Sequence, residues 1–441
     1  MNKVIVTEQY LYDIGNAIRE KTGYSSTYTP SQMASAIESI ETASVTMSAK
    51  TIYENGTYNP QDDGVDGYSE IVVDVADSGG GDDAFYIAMG VTSGSIKDHQ
   101  LTSIKSLTFT ETYITGIEAT SVISIGASAF KSCFYLSSIS FPNCTFIMSD
   151  AFYKCQSLSN VYIPECKVIE TGAFQNAGII SLNLPKCSNI NISAFYSCTD
   201  LQSISIPICS QISAWTFFGC SKLEKISLPS CETIGSSAFA RCSILSEVNL
   251  PECTTISMSA FEYCYSLQSL FTPKCSRIFS NAFARCSMLK SISFPLCEEI
   301  DGYAFLSCVT LSKINLPTCY KIGGYAFSSC NSLSEIELPE CTKIYPSAFM
   351  GCSNLKSIYL PKCSYIGSGV FVRCSNLSKI VLLYSSVAAL SANVFNSTPI
   401  SNSSYLGYYG SIYVPASLVD AYKSTGSWSY YSDRITAYVE E

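Results

Sequence analysis

The chain has 441 residues, too many for one compact core, so we expect an extended repeat domain together with smaller domains. It is acidic, with 26 Lys and Arg against 36 Asp and Glu, and it has no basic run, which argues against nucleic acid or an anionic membrane as the partner. No apolar run reaches the ~18 residues that a membrane-spanning helix needs, and the first residues lack the apolar core of a secretory signal.

Residues 1–43 have the pattern of two short helices. In the first helix, Leu11, Ile14 and Ile18 recur at helical spacing. The second begins at Thr29 as N-cap, followed by Pro at the first helical position and Gln at the third position after the cap. The pattern predicts a helical hairpin that packs on the next module or on a partner, because helices this short are marginal alone.

Residues 44–77 have the pattern of a small β module. Asn55-Gly56 and Asp66-Gly67 are turn signals, and Ile71 and Val73 then alternate with polar residues as in a half-buried strand. A Gly-rich stretch at residues 78–83 follows and predicts a flexible linker.

The N-terminal part resembles phage proteins. Residues 13–37 are similar to an N-terminal segment of tail and baseplate-associated proteins from phages of Gram-positive bacteria, and residues 54–75 are similar to modules of phage tail proteins. The resemblance implies that residues 1–77 dock to other virion tail proteins. A helical hairpin without a docking role is the alternative.

Residues 84–128 are irregular and precede the repeats. Leu107, Phe109, Ile123 and Ile125 look like remnants of a repeat pattern. We expect this stretch to be the N-terminal cap that shields the first apolar layer of a repeat array.

A repeated pattern fills residues 129–382. Leu136, Ile139, Phe141, Cys144 and Ile147 match the leucine-rich template in spacing and type. The period is 22 residues, except for one of 21 beside Gly178, which we expect to absorb a tighter turn. The period is marked by a phenylalanine in each repeat: Phe130, Phe152, Phe174, Phe195, Phe217, Phe239, Phe261, Phe283, Phe305, Phe327, Phe349 and Phe371.

These repeats resemble the BspA-type leucine-rich repeats of bacterial and bacteriophage surface proteins. The predicted fold is an α+β solenoid: a right-handed leucine-rich-repeat solenoid of about 12 repeats with a parallel sheet, preceded by the helical hairpin and the β module. One repeat buries too little apolar surface to fold alone, so neighbouring repeats must share one core. Residues 383–441 break the period and resemble the C-terminal cap of such arrays, with a strand at 412–415 and a short helix at 417–423.

All 22 cysteines lie within the repeats, mostly 11 residues apart, which places them in two columns. Each occupies a position that needs a small buried residue, and Ala177 replaces one of them without a partner being lost. We therefore predict free buried thiols, with a ladder of disulfides as the alternative. The lack of a Cys-x-x-Cys motif and the single histidine, His99, argue against a metal site.

The sequence predicts no enzymatic activity and no cofactor. His99 is the sole histidine and lies in the irregular cap, so a Ser–His–Asp or Cys–His arrangement lacks a credible base. Acidic pairs such as Glu298-Glu299 fall in the turns of the repeats, where a solvated face is expected.

What remains for function is the surface. The variable residue within each predicted strand should point away from the core because side chains alternate along a strand. We expect the contact residues to be Tyr162, Asn183, Asn249, Phe271, Asn315, Glu337 and Tyr359, with a second candidate in the Tyr-rich segment around Tyr405, Tyr408 and Tyr409. The alternative is that solenoid faces tolerate scattered aromatic residues. The full row comprises Ser140, Tyr162, Asn183, Ser205, Ser227, Asn249, Phe271, Ser293, Asn315, Glu337, Tyr359 and Val381.

Three hypotheses follow for function. The first is a phage or prophage tail fibre or receptor-binding protein, made in the host cytoplasm and located in the virion tail, which contacts a host-surface glycan or protein. It rests on the missing secretory signal and the phage-like segments. The second is a BspA-type adhesin of the bacterial cell surface, and the third is an intracellular scaffold for protein interaction. A homo-oligomer stays open.

Overall fold

The computed structural model describes residues 101–401 and 409–439 and, before them, the strands Met47–Ile52, Gly67–Val73 and Ser93–Asp98. The predicted helical hairpin, the linker, His99, Tyr405 and Tyr408 lie outside the described residues. The described residues fall into a small unit, which holds parts of the first two strands, and a large unit, which holds everything from Ser93 onward.

The large unit is a parallel β-solenoid, as predicted from the repeat period. Each turn of the solenoid contributes a strand of mostly three residues, here called a long strand, and a short strand of two residues. The long strands are Ser93–Asp98, Tyr113–Glu118, Ser138–Ser140, Asn160–Tyr162, Ser181–Asn183, Ser203–Ser205, Lys225–Ser227, Glu247–Asn249, Ser269–Phe271, Ser291–Ser293, Lys313–Asn315, Glu335–Glu337, Ser357–Leu360, Lys379–Leu382, Ser411–Val414 and Ile435–Ala437.

The short strands form one uninterrupted parallel sheet of 14 strands. Neighbours pair isoleucine to isoleucine, as between Ile234 and Ile256, so that this buried position continues along the solenoid. The short strands are Ser103–Ile104, Ser124–Ile125, Phe146–Ile147, Val168–Ile169, Asn189–Ile190, Gln211–Ile212, Thr233–Ile234, Thr255–Ile256, Arg277–Ile278, Glu299–Ile300, Lys321–Ile322, Lys343–Ile344, Tyr365–Ile366 and Ala389–Leu390.

The sheet of long strands is interrupted three times, after Tyr162, Ser205 and Phe271. The residue that follows the strand at these three places is β-branched. The other repeats between residues 129 and 382 carry Leu or Phe there. The β-branched residues are Ile163, Ile206 and Thr272.

The marker phenylalanines form a continuous stack inside the solenoid. Neighbouring ring centroids are 5.0–5.8 Å apart and the ring planes are within 14° of parallel, from Phe109 to Phe395. All of these rings are buried. Because Phe109 and Phe395 belong to the two predicted caps, the stack extends beyond the regular repeats at both ends.

Each marker phenylalanine lies in a stretch that we call the turn segment, for example residues 236–241. Two of its residues have left-handed backbone, here Ser237 with φ 54° and Arg241 with φ 63°. Phe239 and Arg241 donate their backbone N–H to the next repeat at 2.8 Å, while Ala240 and Cys242 donate within their own turn at 3.1–3.2 Å. Through this alternation, the irregular half of each repeat has its own series of backbone hydrogen bonds to the next repeat.

The shortened repeat depends on Gly178, although not for the reason expected. The backbone of Gly178 lies outside the left-handed region, and its N–H donates to Cys155 O at 3.1 Å. A Cβ at this position would lie 2.0 Å from Gln156 O. Glycine is therefore needed because two backbones approach closely, and not because a turn requires positive φ.

The C-terminal cap covers the end of the phenylalanine stack. After Ser411–Val414 it consists of a 3₁₀ turn at Ala416–Leu418, an α-helix at Val419–Ser424, a 3₁₀ stretch at Gly426–Arg434 and the strand Ile435–Ala437. Trp428 is buried beside Phe395 and donates its indole N–H to Ala388 O at 2.6 Å.

The prediction that Val381 is exposed is wrong. Its side chain is only 4% exposed. The strand Ser411–Val414 pairs with Lys379–Leu382 and places Tyr413 in register beside Val381. The cap strand thus covers the last position of the predicted row, because this strand lies outside the repeat period and its pairing could not be read from the period.

Candidate functional site

The third residues of the long strands form an exposed row, here called the outer row. It contains Tyr162, Phe271 and Tyr359, whose side chains are 57%, 57% and 40% exposed. Ser140 and Asn249 are partly exposed, and the other members are exposed. The outer row consists of Ser140, Tyr162, Asn183, Ser205, Ser227, Asn249, Phe271, Ser293, Asn315, Glu337 and Tyr359.

The structure brings five of the seven predicted contact residues of the outer row together in two clusters. In the first, Ser227, Asn249 and Phe271 are in register on neighbouring strands, and Asn249 Nδ2 donates to Ser227 Oγ at 3.2 Å. The pairing fixes the direction of the amide next to an exposed aromatic ring.

The second cluster repeats this arrangement in later strands. Asn315 Nδ2 donates to Ser293 Oγ at 3.1 Å, and Glu337 and Tyr359 follow in register. Each cluster therefore contains an oriented amide and ends at an aromatic side chain. Tyr162 and Asn183 belong to neither cluster, because they flank the first interruption of the long-strand sheet.

An open depression of about 830 Å³ lies at the first cluster. It spans the interruption after Ser205, and an exposed ion pair between Lys225 Nζ and Glu247 Oε2, 2.9 Å long, lies in its lining. A second depression of about 410 Å³ lies around Asn183 and Ser205. Both are shallow and open, which suits contact with a large partner better than enclosure of a small substrate.

The cysteines form two buried columns with different hydrogen bonds. In the first, each thiol donates to the carbonyl of a phenylalanine in the preceding repeat at 2.8–3.2 Å, as Cys242 does to Phe217. In the second, the thiol donates to the backbone carbonyl two residues later in the chain at 3.1–3.6 Å, as Cys231 does to Thr233. All 22 are free and buried, which confirms the prediction of free thiols.

Burial makes these thiols poor nucleophiles. It raises the pKa of Cys198 and Cys308 to about 12 and that of Cys253 to about 11. Since the thiolate is the reactive form, thiols that stay protonated at neutral pH are inert.

In the acidic pair Glu298-Glu299, the second residue belongs to an ion network. Glu299 accepts hydrogen bonds from the Tyr320 hydroxyl and from Lys321 Nζ, and these two groups lower the pKa of its carboxyl group.

Within the described part of the chain, no three His, Cys, Asp or Glu side chains are grouped as metal ligands would be. A helix long and apolar enough to cross a membrane is absent from the described residues.

The second predicted contact segment is only partly described. Tyr409 is exposed, and the Arg434 guanidinium lies 4.1 Å from the centre of its ring. Tyr405 and Tyr408 fall in the undescribed residues 402–408.

Sequence reasoning missed one surface feature, a group of aromatic and arginine side chains on the turn segments. Its members stand at two neighbouring positions of the repeat, the first two one residue after the marker phenylalanine and the last three two residues after it. Alignment of the repeats on that phenylalanine would have placed them side by side. They are Tyr196, Phe218, Arg241, Tyr263 and Arg285.

Comparison with known proteins gives a family and several structural neighbours. The family described as BspA type leucine rich repeat region (6 copies) matches residues 81–202, 188–312 and 298–412. A leucine-rich repeat protein from Bacteroides ovatus is 26% identical, with 64% of this chain and 82% of that chain covered and a TM-score of 0.49. A leucine-rich cell surface protein from Faecalibacterium prausnitzii is 23% identical, with 64% and 83% covered and a TM-score of 0.41. The pneumococcal vaccine antigen PcpA is 16% identical, with 90% and 91% covered and a TM-score of 0.38. Comparison with curated proteins gives no match.

Proposed function

The chain belongs to the BspA-type leucine-rich repeat family, and on this basis we propose that it is a non-enzymatic, adhesin-type binding protein of a cell surface. The outer row is its contact surface. The observation that carries the proposal is that Tyr162, Phe271 and Tyr359 are exposed although the core has no need of them. The phenylalanines and leucines that define the repeat are buried instead.

The chemistry of the outer row supports recognition of a macromolecule. Aromatic rings supply contact area at a low entropic penalty, and Ser and Asn supply adaptable hydrogen bonds. The amides of Asn249 and Asn315 are already oriented by Ser227 and Ser293, which reduces the ordering needed on binding. A glycan or a protein exposed on a cell surface fits such a row.

Replacing Phe271 and Tyr359 together by Ser should abolish binding without loss of the fold. The full-length protein would be applied to an array of cell-surface glycans, cell-wall polysaccharides and extracellular-matrix proteins. We expect the wild type to be retained by at least one probe, and the double variant to lose at least about thirtyfold in affinity, because truncation of one aromatic residue at a binding hot spot costs about 2 kcal/mol or more.

The control is Tyr135→Ser, which removes an aromatic side chain of similar exposure, 53%, outside the outer row. It should bind as the wild type does. Unchanged binding by the double variant, equal loss in the control, or a wild type that no probe retains would each contradict the proposal.

A phage or prophage tail-associated protein is the second candidate. It is favoured by the resemblance of residues 13–37 and 54–75 to phage tail proteins, with residues 1–77 as the docking segment. Mass spectrometry of purified phage particles and fractionation of intact cells separate the candidates. A subunit in the particle supports the tail protein, presence on unlysed cells supports the adhesin, and retention in the cytosol with a stable partner supports a scaffold.

A further inference from the structure

On the turn segments of five consecutive repeats, side chains lie against one another in what we call the turn-edge stack: Tyr196, Phe218, Arg241, Tyr263 and Arg285. The rings of Tyr196 and Phe218 are parallel, with centroids 4.9 Å apart. The Arg241 guanidinium lies 5.8 Å from the ring centre of Phe218 and 5.2 Å from that of Tyr263. The Arg285 guanidinium lies 5.0 Å from the same Tyr263 ring. Two cations therefore flank one tyrosine.

The backbone under this stack is unfavourable for large side chains. Arg241, Tyr263 and Arg285 have φ of 63°, 62° and 64°. Bulky residues are rare in this left-handed region, and such outliers tend to occur where a site needs them. Most other repeats place a small residue at the equivalent position: Ser132, Asn176, Ser197, Gly219, Ser307, Ser329, Gly351 and Ser397.

The two arginines also differ from seven other basic residues of the array in their charge partners. Neither Arg241 nor Arg285 forms an ion pair within the described part of the chain, and both are exposed. This occurs in a protein with a formal net charge of −10. By contrast, seven basic residues pair with a carboxylate of an adjacent repeat: Lys186, Lys222, Lys225, Lys274, Arg277, Lys321 and Lys362.

We propose that the turn-edge stack binds an acidic polysaccharide whose carboxylates occur on alternate sugars. The guanidinium groups of Arg241 and Arg285 bind one carboxylate each. Each guanidinium donates two parallel hydrogen bonds to the two carboxylate oxygens. Each guanidinium lies over the Tyr263 ring, 5.0–5.2 Å from its centre, so the two lie within about 10 Å of each other. The neutral sugar between the acidic ones crosses the edge of the partly exposed Tyr263 ring, and the partly exposed rings of Phe218 and Tyr196 continue this aromatic edge. This surface is separate from the outer row, so the proposal stands independently of the proposed function.

The test uses the full-length protein and hyaluronan, which alternates a uronic acid with a neutral amino sugar. We expect binding that weakens as NaCl is raised, because partly exposed charges are screened. Arg241→Ser and Arg285→Ser should each weaken binding about tenfold, the loss of roughly one charge-assisted interaction, and the double variant should abolish it. Serine occupies this position five more times, at Ser132, Ser197, Ser307, Ser329 and Ser397, so the melting temperature should stay near that of the wild type.

The matched control is Arg373→Ser, which removes an arginine with φ 62° at the equivalent position of a later repeat, outside the stack. It should leave hyaluronan binding unchanged. A second variant, Arg241→Lys with Arg285→Lys, keeps both charges but not the forks and should bind several-fold more weakly than the wild type.

Four results would overturn the proposal: no hyaluronan binding by the wild type, an equal loss in Arg373→Ser, equal binding of neutral dextran, or equal binding of poly-glutamate. The last would identify the surface as one for acidic peptides. Binding of poly(glycerol phosphate) with no binding of hyaluronan would likewise overturn it, in favour of a phosphate polymer.

Discussion

Phe239→Ala is expected to lower the free energy of unfolding by about 3–5 kcal/mol, the range for deletion of a buried aromatic side chain. The ring is fully buried and stacks on Phe217 and Phe261 with centroid distances of 5.2 and 5.3 Å. The substitution therefore removes two ring contacts and leaves a cavity in the middle of the shared interior. Urea and thermal unfolding, followed by circular dichroism, measure the effect.

The control for this prediction is Phe271→Ala, which removes the same side chain from the outer row. Because that ring is 57% exposed, the expected change in stability is within about 0.5 kcal/mol. Melting of Phe239→Ala at the wild-type temperature, or equal destabilisation by both substitutions, would show that the phenylalanine stack is not the core.

Alkaline pH is expected to unfold the array. Unfolded thiols have a pKa of about 8.5, whereas burial raises the pKa of folded Cys144, Cys231 and Cys319 to about 12. The stabilisation is thus fully present below about pH 8.5 and is lost as the pH rises towards 12, because only the unfolded chain releases the protons.

The size of this effect follows from the number of buried thiols. Each thiol whose pKa is raised by burial contributes a loss of up to about 1.4 kcal/mol per pH unit above the unfolded pKa. Several together exceed the roughly 5–15 kcal/mol that stabilises a typical domain. Urea midpoints at pH 8 and pH 10 measure the loss. Cys242→Ala should make the dependence of the unfolding free energy on pH shallower by the contribution of one proton. Alanine fits this column, as Ala177 shows. Identical midpoints for the wild type at the two pH values would refute the prediction.

The repeat period predicted the interior well because every repeat solves the same packing problem. The marker phenylalanines, both cysteine columns and the buried isoleucines of the short strands are set by spacing alone. The exposure of Tyr162, Phe271 and Tyr359 followed from strand alternation in the same way.

The features that the period could not predict depend on departures from it. Val381 is buried because a non-repeating strand brings Tyr413 beside it. Gly178 is needed because one missing residue brings its backbone onto Gln156. The turn-edge stack, by contrast, follows the period, since Arg241 and Tyr263 are 22 residues apart, and only its large side chains differ from the small residues that most other repeats have at this position.

The most direct test of the account is a thiol titration of the full-length protein without reductant, in native buffer and in denaturant. The central claim is that stacked repeats share one sealed interior and leave only the exterior for recognition, and the two cysteine columns line that interior. We expect almost no reaction in native buffer at neutral pH, and nearly all 22 thiols reactive in denaturant. Rapid reaction of many thiols in the native protein, or few reactive thiols after denaturation, would contradict it.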